Sequence, residues 1–140
     1  MDLLEKKELR KANGDVFFEA HLVPSGPYLY VNWVGIQTLE TVVMGGNYIL
    51  SILRQTPCQG LLNSNREVIG PWDAAVQYLA HKWAPAAQAL GLRWMAHVLS
   101  PGIYGQRSFQ QFKQQLGSTF TLKSFEDQEI AEEWLLLRLT

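Results

Sequence analysis

The stretch "GLLNSNREVIGPWDAAVQYL", residues 60–79, decides how the chain is read. Gly60-Leu61-Leu62 looks like a buried strand, Asn63-Ser64-Asn65-Arg66 puts four polar residues in a row, and Gly70-Pro71-Trp72-Asp73 opens a helix. Pro71 suits a first helical position, where the N–H it lacks would have no intrahelical partner. The segment therefore predicts a short strand over 60–63, turn chemistry at 63–66, and a helix from 71 to about 83. Trp72 and Trp83 are eleven positions apart, about three turns, so they share one side of that helix. Pro85 is expected to kink or restart it.

The same reading extends outward. Upstream, 15–23 is rich in β-branched and aromatic residues and predicts a strand. Pro24-Ser25-Gly26-Pro27 is a turn, and 28–34 predicts the next strand, with Leu29, Val31 and Trp33 on one face and Tyr28, Tyr30 and Asn32 on the other. So short a turn makes the two antiparallel. Asn13-Gly14 is a hairpin signal, which makes 8–11 a further short strand, with a frayed helix as the alternative. After Gly35 the period changes. Leu39, Val42, Val43, Gly46, Ile49, Leu50 and Leu53 recur at helical steps behind a Thr38 N-cap, and Pro57 closes the helix.

Downstream, Gly91 suits a helix terminus. A strand is expected over 93–99, a helix over 107–116 with Phe109, Phe112 and Leu116 inward, and a strand over 119–122. A final helix over 126–139 should bury Ile130, Ala131, Trp134 and Leu135, with acids in its first turn and Arg138 at its end, as the helix dipole favours. Strands alternating with helices imply right-handed parallel crossovers. The fold class is α/β: a single mixed sheet of about five strands, an antiparallel first pair, then βαβ crossovers and a C-terminal helix. Residues 15–140 form one domain, and 1–14 are an N-terminal extension or extra short strand.

Composition narrows the function. With 47% hydrophobic and 18% charged residues in 140, the chain is globular. A net charge of −1 gives no excess of cations to displace counterions, which disfavours nucleic acid as a partner. Cys58 is the only cysteine, so no intramolecular disulfide or cysteine metal cage is available. No apolar run reaches the ~18 residues of a membrane span, and no apolar signal core lies near Met1; the expectation is a cytoplasmic protein without a cofactor. His21, His81 and His97 lack metal-ligand spacing, there is no GxSxG elbow, and nothing marks a nucleophile beside a base. The residues point away from an enzyme.

Candidate binding residues cluster beyond the strand ends. Arg66 follows a central strand, where open α/β sheets bind ligands, and a guanidinium there can grip a carboxylate or phosphate. The plainer reading pairs it with a helix carbonyl or Asp73. The loop from Ser100 to Gly105, with Tyr104, follows a parallel strand and so belongs to the same sheet edge. Five tryptophans are read first as core. Alternatively Trp72, Tyr78 and Trp83 line an apolar pocket for a small ligand, or Trp94 or Tyr104 sits in a protein interface. His97, in "MAHVL", reads as a sheet histidine with both ring nitrogens satisfied.

The order of "YVNWVG" (30–35), "LLNSNREVIGPW" (61–72), "WAPAAQALGLRWMAHVLSP" (83–101) and "SFEDQEIAEEWL" (124–135) resembles the STAS-like family, whose fold is that of the sporulation anti-sigma-factor antagonist, over about 15–137. The resemblance implies a non-enzymatic regulatory domain that binds a protein partner or a second copy; the alternative, drawn from Arg66 and the tryptophans, is a carrier or sensor for a small apolar or anionic ligand. STAS antagonists are switched by phosphorylation of a serine after the third strand, which falls on Ser64. This chain departs from that pattern, with no acidic residue before Ser64 and no glycine beside it, which argues against a phosphoswitch. The residues carried forward for ligand or partner binding are Ser64, Asn65, Arg66, Trp72 and Tyr104.

Overall fold

In the computed structural model, which describes residues 6–24 and 26–139, the polar quartet does not turn the chain. The expected strand over 60–63 is instead a ten-residue strand, β4 (Gly60–Ile69), with Asn63–Arg66 in its middle. The reason is its place in the sheet. β3 (Tyr28–Ile36) lies on one side, pairing Val31 with Asn63 and Asn32 with Ser64. β5 (Trp94–Val98) lies on the other, pairing Asn63 with His97 and Ser64 with Val98. Ladder bonds on both sides satisfy the backbone as far as Ser64, and pairing with β3 resumes at Glu67, so the sheet overrides the low strand propensity of the side chains.

Six strands, one more than expected, form the sheet in the order β1-β2-β3-β4-β5-β6. β1 (Lys7–Arg10) is the extra short strand, antiparallel to β2 (Val16–Val23), and β2 is antiparallel to β3. From β3 to β6 (Thr121–Phe125) all pairing is parallel. Each parallel step is a helical crossover: α1 (Leu39–Gln55), a helical run over 73–89, and α4 (Ile103–Leu116). α5 (Gln128–Leu139) closes the chain.

The helices divide between the two faces. Side chains from α1, the 73–89 run and α4 join Phe17, Leu29, Val31, Leu61 and Met95 in the larger core. α5 covers the other face, where Ala131 and Leu135 meet Tyr28, Leu62, Ala96 and Val98. Ile130, expected inside, is 55% exposed, because only Ala131 and Leu135 of that helix are buried.

α1 follows its sequence signals: Thr38 caps it, and Thr38 and Thr41 exchange side-chain-to-backbone hydrogen bonds in a capping box. Its Gly45 and Gly46 let it come close. A methyl at Gly45 would sit 2.3 Å from the Trp33 ring, and one at Gly46 3.1 Å from Trp83 Cδ1. The second crossover changes helix type at Pro85, which stands in the first turn of its last segment, so the expected restart is met. It passes from a 3₁₀ turn (Asp73–Ala75) through α2 (Val76–Tyr78) and a π-helical segment (Leu79–Trp83) into α3 (Ala84–Ala89). The Ala84 N–H reaches back five residues to the Leu79 carbonyl. The widened turn falls just before the proline, which has no N–H to place, and it sets Trp83 at its end.

Candidate functional site

The register between β3 and β4 slips by one residue. Asn32 faces Ser64, but Val34 faces Glu67, so two residues of β4 stand opposite Trp33. This bulge resets the alternation of β4. Leu61, Asn63, Asn65 and then Val68 lie on the face with the three crossover helices, while Leu62, Ser64 and Arg66 lie on the α5 face. Pairing with β5 ends at Ser64, so the rest of β4 has β3 as its only strand neighbour.

Under that part of β4, between the sheet, α1 and the 73–89 run, lies a cavity of about 40 Å³. Trp72, just before the run, and Trp83 within it line the cavity, with Trp33, Asn63, Asn65 and His97 from the strands and Gly46 from α1. Tyr78 does not belong to it; its hydroxyl donates to Asn47 Oδ1 at 3.3 Å. Trp72 is held by α4: its backbone N–H donates to Ser108 Oγ at 2.9 Å, and the Ser108 hydroxyl donates to Asp73.

A relay of hydrogen bonds fixes the histidine. The Trp33 indole N–H, which can only donate, donates to Asn63 Oδ1 at 2.8 Å. That orients the Asn63 amide so that Nδ2 faces His97 Nδ1 at 3.1 Å. His97 Nδ1 is therefore an acceptor, and in the neutral ring the proton sits on Nε2. The ring is stacked on Phe109 at 4.2 Å, and burial pushes its pKa down to about 3.

Among the described residues, four buried side-chain polar atoms lack a hydrogen-bond partner, and three belong to residues that line this cavity: Trp72 Nε1, Trp83 Nε1 and His97 Nε2. The fourth, Gln128 Oε1, lies at the start of α5. The residues carrying the three nitrogens are 7%, 2% and 2% exposed, so surface water does not satisfy them. A buried N–H without an acceptor costs about 1–3 kcal/mol, and these three belong to side chains that share one cavity lining. The expectation that both His97 nitrogens are satisfied is thus met at Nδ1 and not at Nε2.

The expected binding residues part company here. Asn65 and Trp72 line the cavity. Ser64 is fully buried in the middle of β4, where its Oγ accepts from the Arg66 N–H at 3.3 Å, and no helix begins beside it. That differs from the turn expected around Ser64. Arg66 is exposed and lines a groove on the α5 side with Ser100, Pro101, Gln106 and Glu126. It pairs neither with Asp73 nor with any other carboxylate among the described residues. Burial raises the pKa of the nearby Tyr30 hydroxyl, and the Arg66 charge opposes that rise. Tyr104 is exposed at the start of α4, with the Arg107 guanidinium 5.9 Å from its ring centre. Arg66 and the 100–106 segment do share one rim, as the crossover topology requires. Trp94 is half-buried against Trp134 of α5. Asn63, His97 and Gly46 were not foreseen; a polar i, i+2 pair inside a longer strand, Asn63 and Asn65, was the available signal.

Among the described residues no helix is long and apolar enough to cross a membrane, and no cluster of His, Cys, Asp and Glu could hold a metal ion. Neither a family model nor a curated protein matches the chain.

Proposed function

We propose that this chain is a non-enzymatic binding domain that takes a small ligand into the cavity between its sheet and crossover helices. The observation that carries the reading is the set of three ring nitrogens, Trp72 Nε1, Trp83 Nε1 and His97 Nε2, buried without a protein acceptor around one space. The lining supports binding rather than chemistry. It holds no carboxylate, thiol or hydroxyl, and the one imidazole is neutral, with its basic nitrogen already hydrogen-bonded by Asn63. A regulatory, STAS-like role, in which the ligand sets what the domain binds, is compatible with this site. The test is thermal stabilisation by a library of small solutes. Gly46→Ala, whose methyl would lie 2.8 Å from Tyr78 Oη and 3.1 Å from Trp83 Cδ1, should abolish the stabilisation, and Arg66→Ala should leave it intact. Solutes that stabilise both variants as well as the parent chain would place binding elsewhere.

A second reading, docking of a protein partner or a second copy at the sheet's carboxyl rim, is favoured by a run of exposed apolar residues there. Ile36 and Ile69 are register neighbours, and Leu39, Ile103 and Tyr104 are also exposed. The rim is drawn together where a methyl on Gly105 would lie 3.5 Å from the Gly70 carbonyl. Sedimentation of the wild type and of Ile36→Lys/Ile69→Lys tests self-association. A dimer lost in the variant supports it, and a monomer at high concentration removes the second copy as the occupant.

A further inference from the structure

On the reading that the cavity is a ligand site, its chemistry also selects the class of ligand. We infer that the ligand is a small, uncharged molecule with a carbonyl-type oxygen on an apolar body, such as an amide, lactam or ketone. Every unpartnered buried nitrogen at the cavity is an N–H donor: the two indoles can only donate, and the relay from Trp33 through Asn63 leaves the His97 proton on Nε2. The complement of such a set is an oxygen with two lone pairs. The Asn65 side chain, which also lines the cavity, carries both a donor and an acceptor, which suits a second polar atom such as a lactam N–H.

Charge is the second criterion. None of the lining side chains is ionic. His97 cannot readily supply a positive charge, because a proton on Nδ1 would face an amide nitrogen that only donates. A carboxylate would therefore leave water for a buried site without a counter-ion, which is strongly disfavoured. Hydrophobic contact supplies the rest of the recognition: Val42, Ile49, Val68, Leu79, Met95 and Phe112 wall the cavity. Its size is the third criterion. A volume of about 40 Å³ corresponds to a few water molecules, so the part that enters is a handful of non-hydrogen atoms.

The test uses the full chain with ¹⁵N-labelled tryptophan and histidine, and three probes of six non-hydrogen atoms: 2-pyrrolidinone, cyclopropanecarboxylate and methylcyclopentane. Pyrrolidinone should move the indole N–H signals of Trp72 and Trp83 and the Nε2 signal of His97 downfield. Trp94 and Trp134, on the α5 face, serve as internal controls. It should bind about tenfold tighter than either other probe. Trp83→Phe, which removes one donor and keeps most of the ring, should weaken it by roughly three- to tenfold. Tighter binding of the carboxylate, or equal binding of the hydrocarbon, overturns the ligand class while leaving the site in place. No response at Trp72, Trp83 or His97 to any of the three overturns the site as well.

Discussion

β4 sends Leu61, Asn63 and Asn65 toward the three crossover helices, and Leu62, Ser64 and Arg66 toward α5. Both faces receive polar side chains from the same strand, and the two faces treat them differently. On the α5 side most polar groups are matched or wetted: Ser64 accepts from a backbone N–H, Tyr28 donates to Glu132, Asn32 donates to Glu19 at 3.0 Å, and Arg66 stands in solvent. On the crossover side one relay is complete, from Trp33 to Asn63 to His97, and beyond it three ring nitrogens on side chains that line a cavity have no partner. Buried polar groups that are fully paired hold a fold together, and groups left open around a preformed space are suited to a ligand.

Substitutions that probe each face should separate these roles, and the largest effect is expected at Ser64. Ser64→Asp would bury a carboxylate at a position with no solvent exposure, costing several kcal/mol. Circular dichroism and urea titration should find the chain unfolded or nearly so; a stable variant would mean that this part of β4 opens readily. Trp33→Phe on the crossover face keeps the aromatic contact with Phe18 but leaves Asn63 Oδ1 without its donor. A loss of about 1–3 kcal/mol is expected in the same titration.

A third contrast is with pH. His97 has a folded-state pKa of about 3, against an ordinary value of 6.5, because it is buried. Between those values the unfolded chain binds a proton that the folded chain does not. The contribution of His97 is therefore fully present above pH 6.5 and is lost as pH falls toward 3, with a slope approaching about 1.4 kcal/mol per pH unit. Denaturation midpoints measured from pH 7 to pH 4 should show this slope in the wild type and lack it in His97→Phe, which keeps a ring against Phe109. The smallest effect is expected at Arg66. Arg66→Ala removes an exposed charge with no ion pair among the described residues and should change stability by less than about 0.5 kcal/mol. A larger loss would show that the α5 side leans on that guanidinium.

These residues also show what could be read in advance. α1 was legible because its signals are local: a capping threonine and an apolar stripe at helical spacing. The α/β order and the rim shared by Arg66 and the 100–106 segment followed from alternation and crossover handedness alone. The length of β4 was not legible, because its four polar residues are kept in strand conformation by pairing with β3 on one side and, as far as Ser64, with β5 on the other. The start of α4 at Ile103 rather than 107 was hidden for a related reason: its cap is Gly102, which has no side chain to announce it. Of the site, the common side of Trp72 and Trp83 came from their spacing. The meeting of Asn63 with His97 depends on a register between β4 and β5 that no local pattern encodes.

The account rests on an occupied cavity, and the most direct measurement is a high-resolution crystal structure of the protein as purified from cells. It should show density inside the cavity within hydrogen-bonding reach of Trp72 Nε1, Trp83 Nε1 and His97 Nε2. A cavity filled by the protein's own side chains, with those three nitrogens bonded to protein acceptors, would contradict it.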